Sequence, residues 1–114
     1  MNQITLEVKR GDSKTYTLTF KDEDGNLIDI TGYTVFFTVK EKIDDNDDHA
    51  KIKKTITSHT DPTNGETQIQ LSSSDTNLIG NYLFDIQIKN TTNEIITIME
   101  GLITFTKDVT QRTS

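Results

Sequence analysis

The sequence predicts an all-β fold, an immunoglobulin-like antiparallel β-sandwich of seven to eight strands. Short runs of alternating apolar and polar residues recur along the chain, separated by turns rich in Gly, Asn, Asp and Ser. No segment has the periodicity of an amphipathic helix. At 114 residues the chain has the length of one domain with a single core. We assign residues 1–108 to the sandwich and 109–114, where the alternation stops, to a frayed C-terminal tail.

The stretch 75–88 predicts the central strand. Tyr82, Phe84 and Ile86 alternate with polar neighbours, and Gly80 precedes them after a polar turn. This spacing is typical of a tyrosine corner, whose phenol closes the loop that enters a central strand. Phe84 stands where antibody domains carry their second cysteine, and the chain has no cysteine. We therefore assign structural roles to Gly80, Tyr82 and Phe84, and expect packing alone to join the sheets.

The first half of the chain predicts three strands and a short return segment. Asp24-Gly25 is a strong signal for a tight turn, and Gly32 ends the return segment 27–30. Phe36 falls on the polar face of its strand, so either a loop covers it or it belongs to a contact surface. The apolar faces are Ile4, Leu6 and Val8; Tyr16, Leu18 and Phe20; and Tyr33, Val35, Phe37 and Val39.

The second half predicts an edge strand and three further strands. Lysines 51, 53 and 54 would discourage a foreign strand from pairing with the edge strand that contains Ile52 and Ile56. A helical turn is predicted for Ser72 to Asn77. Ile96 and Ile98 are predicted to point inward, and Gly101 to mark a bulge in the last strand. The predicted core is Tyr16, Leu18, Phe20, Val35, Phe37, Ile69, Tyr82, Phe84, Ile86, Ile98 and Phe105.

The charge and the apolar pattern exclude several classes of partner. A net charge of −6 argues against nucleic acid or an anionic membrane, because both require a basic surface. No apolar segment is long enough to span a bilayer, and the polar start Met1-Asn2-Gln3 is not a signal peptide. We expect a soluble product made in the cytoplasm.

Candidate catalytic and metal-binding residues are few. The chain has no thiol and no G-x-S-x-G motif, and its two histidines lack the spacing of a metal pair. We therefore expect no enzymatic activity and no cofactor. Asp44, Asn46 and Asp48 begin like a calcium loop, but His49 replaces its glycine and Thr55 its final glutamate. They are weak calcium candidates, and a solvated acidic loop is the simpler interpretation.

Candidate partner contacts are the sheet edges and the loop from Lys40 to His49, because neighbouring charges of opposite sign there could fix the register of a charged partner. The candidate residues are Phe36, Asp47, Asp48, Lys51 and Lys53. Binding of a glycan or host surface is the alternative. That function needs exposed aromatic platforms, and the chain has no tryptophan and leaves Phe36 as its clearest candidate.

Several short phrases along the chain share a pattern with a known phage family. They are Arg10-Gly11-Asp12 with Leu18-Thr19-Phe20, the run from Asp24 to Gly32, Val35 with Phe37-Thr38-Val39, Asn64-Gly65, Asp75-Thr76, Gly80-Asn81-Tyr82, Asp85-Ile86-Gln87, and the ending from Gly101 to Thr110. Together they resemble the immunoglobulin-like domain at the N-terminus of the baseplate upper protein of tailed phages of Gram-positive bacteria.

The resemblance implies a non-enzymatic adaptor or docking module of a tail or baseplate, located in the virion tail and made in the host cytoplasm. It implies other tail or baseplate proteins as partners, and it allows a homo-oligomer within a symmetric assembly. Larger family members continue towards receptor-binding proteins. Since this chain ends after the domain, we expect an N-terminal domain or a stand-alone structural protein, which argues against a direct host-receptor role.

Overall fold

The computed structural model describes residues 4–41 and 50–107. Short alternating runs form the strands, and Gly, Asn and Asp occupy the turns between them. A 3-10 turn, Pro62–Asn64, ends at the left-handed Gly65. No helix in these two ranges is long and apolar enough to cross a membrane. The strands are β1 Ile4–Lys9, β2 Lys14–Thr19, β3 Thr34–Lys40, β4 Ile52–Ile56, β5 Glu66–Leu71, β6 Gly80–Lys89 and β7 Ile95–Thr106.

The strands form two facing sheets, which confirms the predicted β-sandwich. One sheet has the order β1-β7-β6-β3-β4, and the other contains β2 and β5. β3, β6 and β7 thus occupy the places of strands C, F and G of an immunoglobulin domain, and β2 and β5 those of B and E. Four pairings are antiparallel, but β1 pairs with β7 in parallel. The parallel pair arises because β1 and β2 lie in different sheets instead of forming a hairpin.

The core lies between the sheets and agrees with the predicted set. Six of the predicted residues are buried, namely Val35, Phe37, Ile69, Phe84, Ile86 and Phe105. The other five are partly buried and pack against the same cluster. Two threonines are also buried, and Thr76 donates a 2.7 Å hydrogen bond to the carbonyl of Asp12. The core further contains Val8, Val39, Ile52, Leu71 and Ile103.

The predicted bulge at Gly101 is wrong. The irregularity between β6 and β7 lies farther back, where the partner changes from Met99 to Thr97 and Ile98 is the extra residue. Gly101 serves a different purpose, because a Cβ there would lie 1.9 Å from the carbonyl oxygen of Ile4. The close approach of β1 to β7 therefore requires glycine at this position.

The start of β7 is more exposed than the sequence predicts. Ile96 pairs with Ile88 and so faces the core side of the sheet, as expected, but half of it is exposed. Ile95 on the opposite face is 60% exposed. Both lie before Gly101, where the pairing with β1 begins. No described strand flanks this part of β7 on its outer edge, which explains the exposure.

Residues 27–30 and 72–77, for which the sequence predicts local structure, form neither a regular strand nor a helix. The return segment 27–30 keeps a single bridge, between Lys21 and Leu27. The segment 72–77 closes one turn, in which Thr76 donates its N–H to the carbonyl of Ser72. Asp75 accepts a 2.8 Å hydrogen bond from the N–H of Ser72. Polar side chains thus satisfy the backbone of this corner.

Candidate docking surface

The tyrosine-corner residues support the middle of the five-stranded sheet. Gly80 begins β6 with φ +114°, in the region that favours glycine. The Tyr82 hydroxyl donates a 3.1 Å hydrogen bond to the carbonyl of Ile79. Phe84 is 3% exposed, and its ring centroid lies 6.0 Å from that of Phe37. These contacts hold β6 against β3, whose other face is turned towards solvent.

Phe36 lies near the middle of that solvent-facing surface. Its neighbours Val35 and Phe37 are fully buried, so the alternation of the strand turns Phe36 outward. It pairs with Thr55 of β4 on one side and Gln87 of β6 on the other, and it is partly buried. A large apolar side chain therefore lies partly exposed between two polar residues on the solvent-facing side of the sheet.

Lys53 shares this surface with Phe36. It pairs with Thr38, the next outward residue of β3, and it is exposed. Across β3, Thr38 pairs with Asp85 of β6, so a basic and an acidic residue flank Thr38 in one row. We call the residues Phe36, Thr38, Lys53, Thr55, Asp85 and Gln87 the outer face.

The remaining candidate contacts are not brought into this group. Lys51 is exposed and lies 3.9 Å from the Glu41 carboxylate, a surface pair that contributes little. Asp47 and Asp48 lie outside the described residues, as do the calcium candidates Asp44, Asn46 and Asp48. In the ranges 4–41 and 50–107, no three acidic, histidine or cysteine side chains form a group that could hold a metal ion.

The free edge of β4 is protected by a lysine that points inward. Lys54 pairs with the buried Phe37, so it leaves the strand on the core side. Its Nζ lies 2.7 Å from Oδ2 of Asp75, which belongs to the corner before β6. An inward charge on an edge strand disfavours pairing with a foreign strand. The inward lysine therefore argues against strand pairing at the β4 edge, one of the sheet edges predicted to make partner contacts.

Asp75 is held in its charged form. Burial alone raises the pKa of Asp75, but hydrogen bonds from Lys54 and Ser72, together with the Lys54 charge, outweigh it and lower the pKa below its ordinary value. The pair therefore contributes its full stability above the unfolded pKa of about 3.9. This contribution is lost as the pH falls through the lower pKa of the folded state.

A double-mutant cycle with Lys54→Met and Asp75→Asn is expected to give a coupling energy of about 0.5–1 kcal/mol at neutral pH. Urea unfolding of the four proteins measures it. The coupling should vanish at a pH below the folded pKa of Asp75, where the carboxyl group is neutral. A coupling energy that stayed constant down to strongly acidic pH would contradict this assignment.

A groove of about 490 Å³ lies between the facing edges of β4 and β5. Its lining includes Ile56, Gln68 and Gln70 but no Phe, Tyr or Trp side chain. His59 lines it too, with Nε2 2.7 Å from the carbonyl oxygen of Tyr33 and Nδ1 2.8 Å from the Thr67 hydroxyl. These bonds join the two sheets and give His59 a structural role. Nothing in the sequence pattern indicates this bridge, because its partners are far away along the chain.

Comparisons with known proteins agree with this architecture. The family described as BppU N-terminal domain matches residues 1–111. Among solved structures, the N-terminal domain of phage TP901-1 ORF48 superposes with a TM-score of 0.50 and 12% sequence identity, covering 94% of this chain and 85% of that one. At this identity the likeness concerns the fold alone. A comparison with curated protein sequences gives no match.

Proposed function

The chain belongs to the family of BppU N-terminal domains, the N-terminal domains of phage baseplate upper proteins, and from this we propose that it is a non-enzymatic adaptor that docks onto another protein of the tail baseplate. The family match over residues 1–111 carries the proposal. The adaptor would reside in the virion tail after synthesis in the host bacterium. Symmetric tails repeat their components, so several copies would act together.

The outer face is the proposed docking surface. Phe36 supplies a large apolar group that is already partly held by its cross-strand neighbours, so little conformational entropy is lost on binding. The row of Lys53, Thr38 and Asp85 beside it offers charges of both signs. Such a row mainly orients a partner that carries complementary charges. Its contribution to the affinity is smaller.

Co-expression with baseplate proteins encoded by neighbouring genes tests the adaptor function. We expect a stable complex with at least one of them. Phe36→Ala should weaken that complex at least tenfold, because it removes the apolar anchor. Leu27→Ala is the matched control, since Leu27 is 48% exposed and lies on the loop after β2. A complex that Phe36→Ala and Leu27→Ala leave equally strong would exclude the outer face.

Charge reversal separates orientation from anchoring. Lys53→Glu is expected to slow association and reduce its dependence on salt, with a smaller effect on dissociation. Lys21→Glu changes the same charge at an exposed position on the loop after β2 and serves as the control. A glycan-binding screen covers the alternative. Specific sugar binding without any tail partner would replace the adaptor proposal by a glycan- or host-surface-binding function.

A further inference from the structure

The first half of β7 forms an overhang at the edge of the five-stranded sheet. The β7 overhang is the segment Ile95–Glu100, which precedes the point where β1 begins to pair, opposite Gly101. In the described part of the chain it pairs with β6 alone. Its outer edge therefore presents backbone groups without a strand partner among the described residues. Ile95 and Ile96 are the most exposed large apolar residues there, at 60% and 50%.

The β7 overhang lacks the protection that the β4 edge has. Between Glu94 and Glu100 the residues are Ile95, Ile96, Thr97, Ile98 and Met99, with no charge among them. β-branched, uncharged segments at a free edge are those that pair readily with another strand. On the β4 edge, by contrast, Lys54 points inward and Lys53 is exposed. The two ends of one sheet thus differ in their capacity to accept a strand.

We propose that the β7 overhang pairs with the β7 overhang of a second copy, in an antiparallel dimer whose two-fold axis passes beside Ile96. A two-fold axis perpendicular to the joined sheet keeps the core sides of both copies on one side. Directly opposed residues of antiparallel strands also share a side. Each residue must therefore lie opposite a residue whose side chain points to the same side of the joined sheet. This condition holds only if the two-fold axis passes beside a residue and not between two consecutive residues.

Strand length and charge together select the residue at the axis. An axis beside Ile95, the first residue of β7, would oppose only Ile95 to its own copy within the two strands. An axis beside Thr97 would place Glu94 opposite Glu100 of the second copy twice, and like charges directly opposed are destabilising. An axis beside Ile96 places Ile96 against its own copy and Ile95 against Thr97. Glu94 then faces Ile98, so no two carboxylates meet. The two half-exposed Ile96 side chains cover each other on the core side.

The described residues at the sheet edge are compatible with this register. The described part of β1 starts with Ile4, opposite Gly101. With the axis beside Ile96, Gly101 of the second copy lies opposite Thr91 of the first copy. Thr91 belongs to the 90–94 turn and precedes the first residue of β7. The described part of β1 in each copy therefore begins beside the 90–94 turn of the other copy and not beside its β7 strand. The extra residue Ile98 ends the regular pairing, so the interface is short and the dimer reversible.

This interface uses the edge of β7 and covers Ile96 on the core side, whereas docking is proposed on the solvent-facing side of the sheet. The two regions adjoin at Gln87, which pairs with Thr97. The dimer does not rest on the adaptor function. It is tested with the purified chain alone, without tail proteins. Loss of the dimer would leave the docking experiment unaffected, and absence of a tail partner would leave the dimer unaffected.

Cysteine cross-linking tests the register, and the chain has no cysteine of its own. Ile96→Cys should form a disulfide-linked dimer rapidly in air, because opposed Cα atoms lie about 4.5–5.5 Å apart and a disulfide spans that distance. Ile95→Cys is the matched control. Ile95 is the more exposed, but in this register its copy lies diagonally, with Cβ atoms about 7–8 Å apart. Equal or faster cross-linking of Ile95→Cys would overturn the register.

Sedimentation at concentrations up to millimolar tests the dimer itself. The native chain should approach twice its 12.9 kDa mass as concentration rises. Ile96→Lys should raise the dissociation constant at least tenfold by bringing two like charges together at the axis. Ile79→Lys, at a 47% exposed isoleucine in the loop before β6, should leave it unchanged. A native chain that stays monomeric at millimolar concentration, or equal effects of both variants, would overturn the proposal.

Discussion

Replacing Gly101 by alanine is expected to destabilise the fold by about 3 kcal/mol, at the upper end of the cost of overpacking. The added Cβ would lie 1.9 Å from the carbonyl oxygen of Ile4 and 2.8 Å from its N and C atoms. These are backbone atoms, so no side-chain rotation relieves the overlap and β1 must move away from β7. Urea unfolding measures the loss. Hydrogen exchange should show faster exchange in Ile4–Lys9 than in β3 or β6.

Gly25→Ala is the control for the Gly101 result. Gly25 has φ +85° and no atom within 4 Å of an added Cβ, so its substitution carries backbone strain without a clash. A cost of about 1–2 kcal/mol is expected there, with no selective effect on β1. Equal exchange throughout the Gly101→Ala sheet, or a cost no larger than that of Gly25→Ala, would show that β1 tolerates the displacement.

Phe84→Ala is expected to cost roughly 3–5 kcal/mol, because it removes a buried aromatic ring and leaves a cavity. Phe84 is 3% exposed in the central strand, and its ring packs near that of Phe37. A domain with a total stability of about 5–15 kcal/mol loses a large part of it through such a change. Thermal and urea unfolding both report the loss. A cost below about 1 kcal/mol would show that the site collapses around the smaller side chain.

Two further variants, Tyr82→Phe and Phe36→Ala, distinguish the loss of a buried ring from the loss of a hydroxyl group or of a solvent-facing ring. Tyr82→Phe keeps its ring against Phe105 and deletes only the hydroxyl bonded to Ile79, so about 1 kcal/mol is expected. Phe36→Ala lies on the solvent-facing side of the same sheet and should cost less than Phe84→Ala. If the cost of Phe36→Ala is well below the total stability, the variant stays folded and a loss of docking does not come from unfolding.

Local alternation was sufficient to predict which strand faces enter the core. The residues around Phe37 and Phe84 alternate strictly, and a side-chain period of two assigns each to a face without knowledge of the partner strand. The parallel pair of β1 and β7 lay beyond such reasoning, because it depends on which distant strands meet. The role of Gly101 and the exposure of Ile96 follow from that pair and were missed with it.

The candidate surface was predictable only in part, for the same reason. The pattern of β3 turned Phe36 outward, but its proximity to Lys53 required the register between β3 and β4. The bridge made by His59 joins residues that lie 26 and 8 positions away, and a lone histidine has no periodicity to reveal it. The face of a strand on which a residue lies can thus be predicted from the sequence more readily than a contact between the two sheets.

The parallel pair of β1 and β7 also bears on how the chain folds during synthesis. Ile4–Lys9 is synthesised before the other described strands, yet its only strand partner in the described ranges is Gly101–Thr106, the second half of the last described strand. Such a distant pairing closes late, after the hairpins of nearby strands. We expect amide protection of β1 to lag behind that of β6 in pulse-labelled refolding, and simultaneous protection would contradict this order. A nascent chain would therefore carry β1 without its strand partner until β7 has been synthesised.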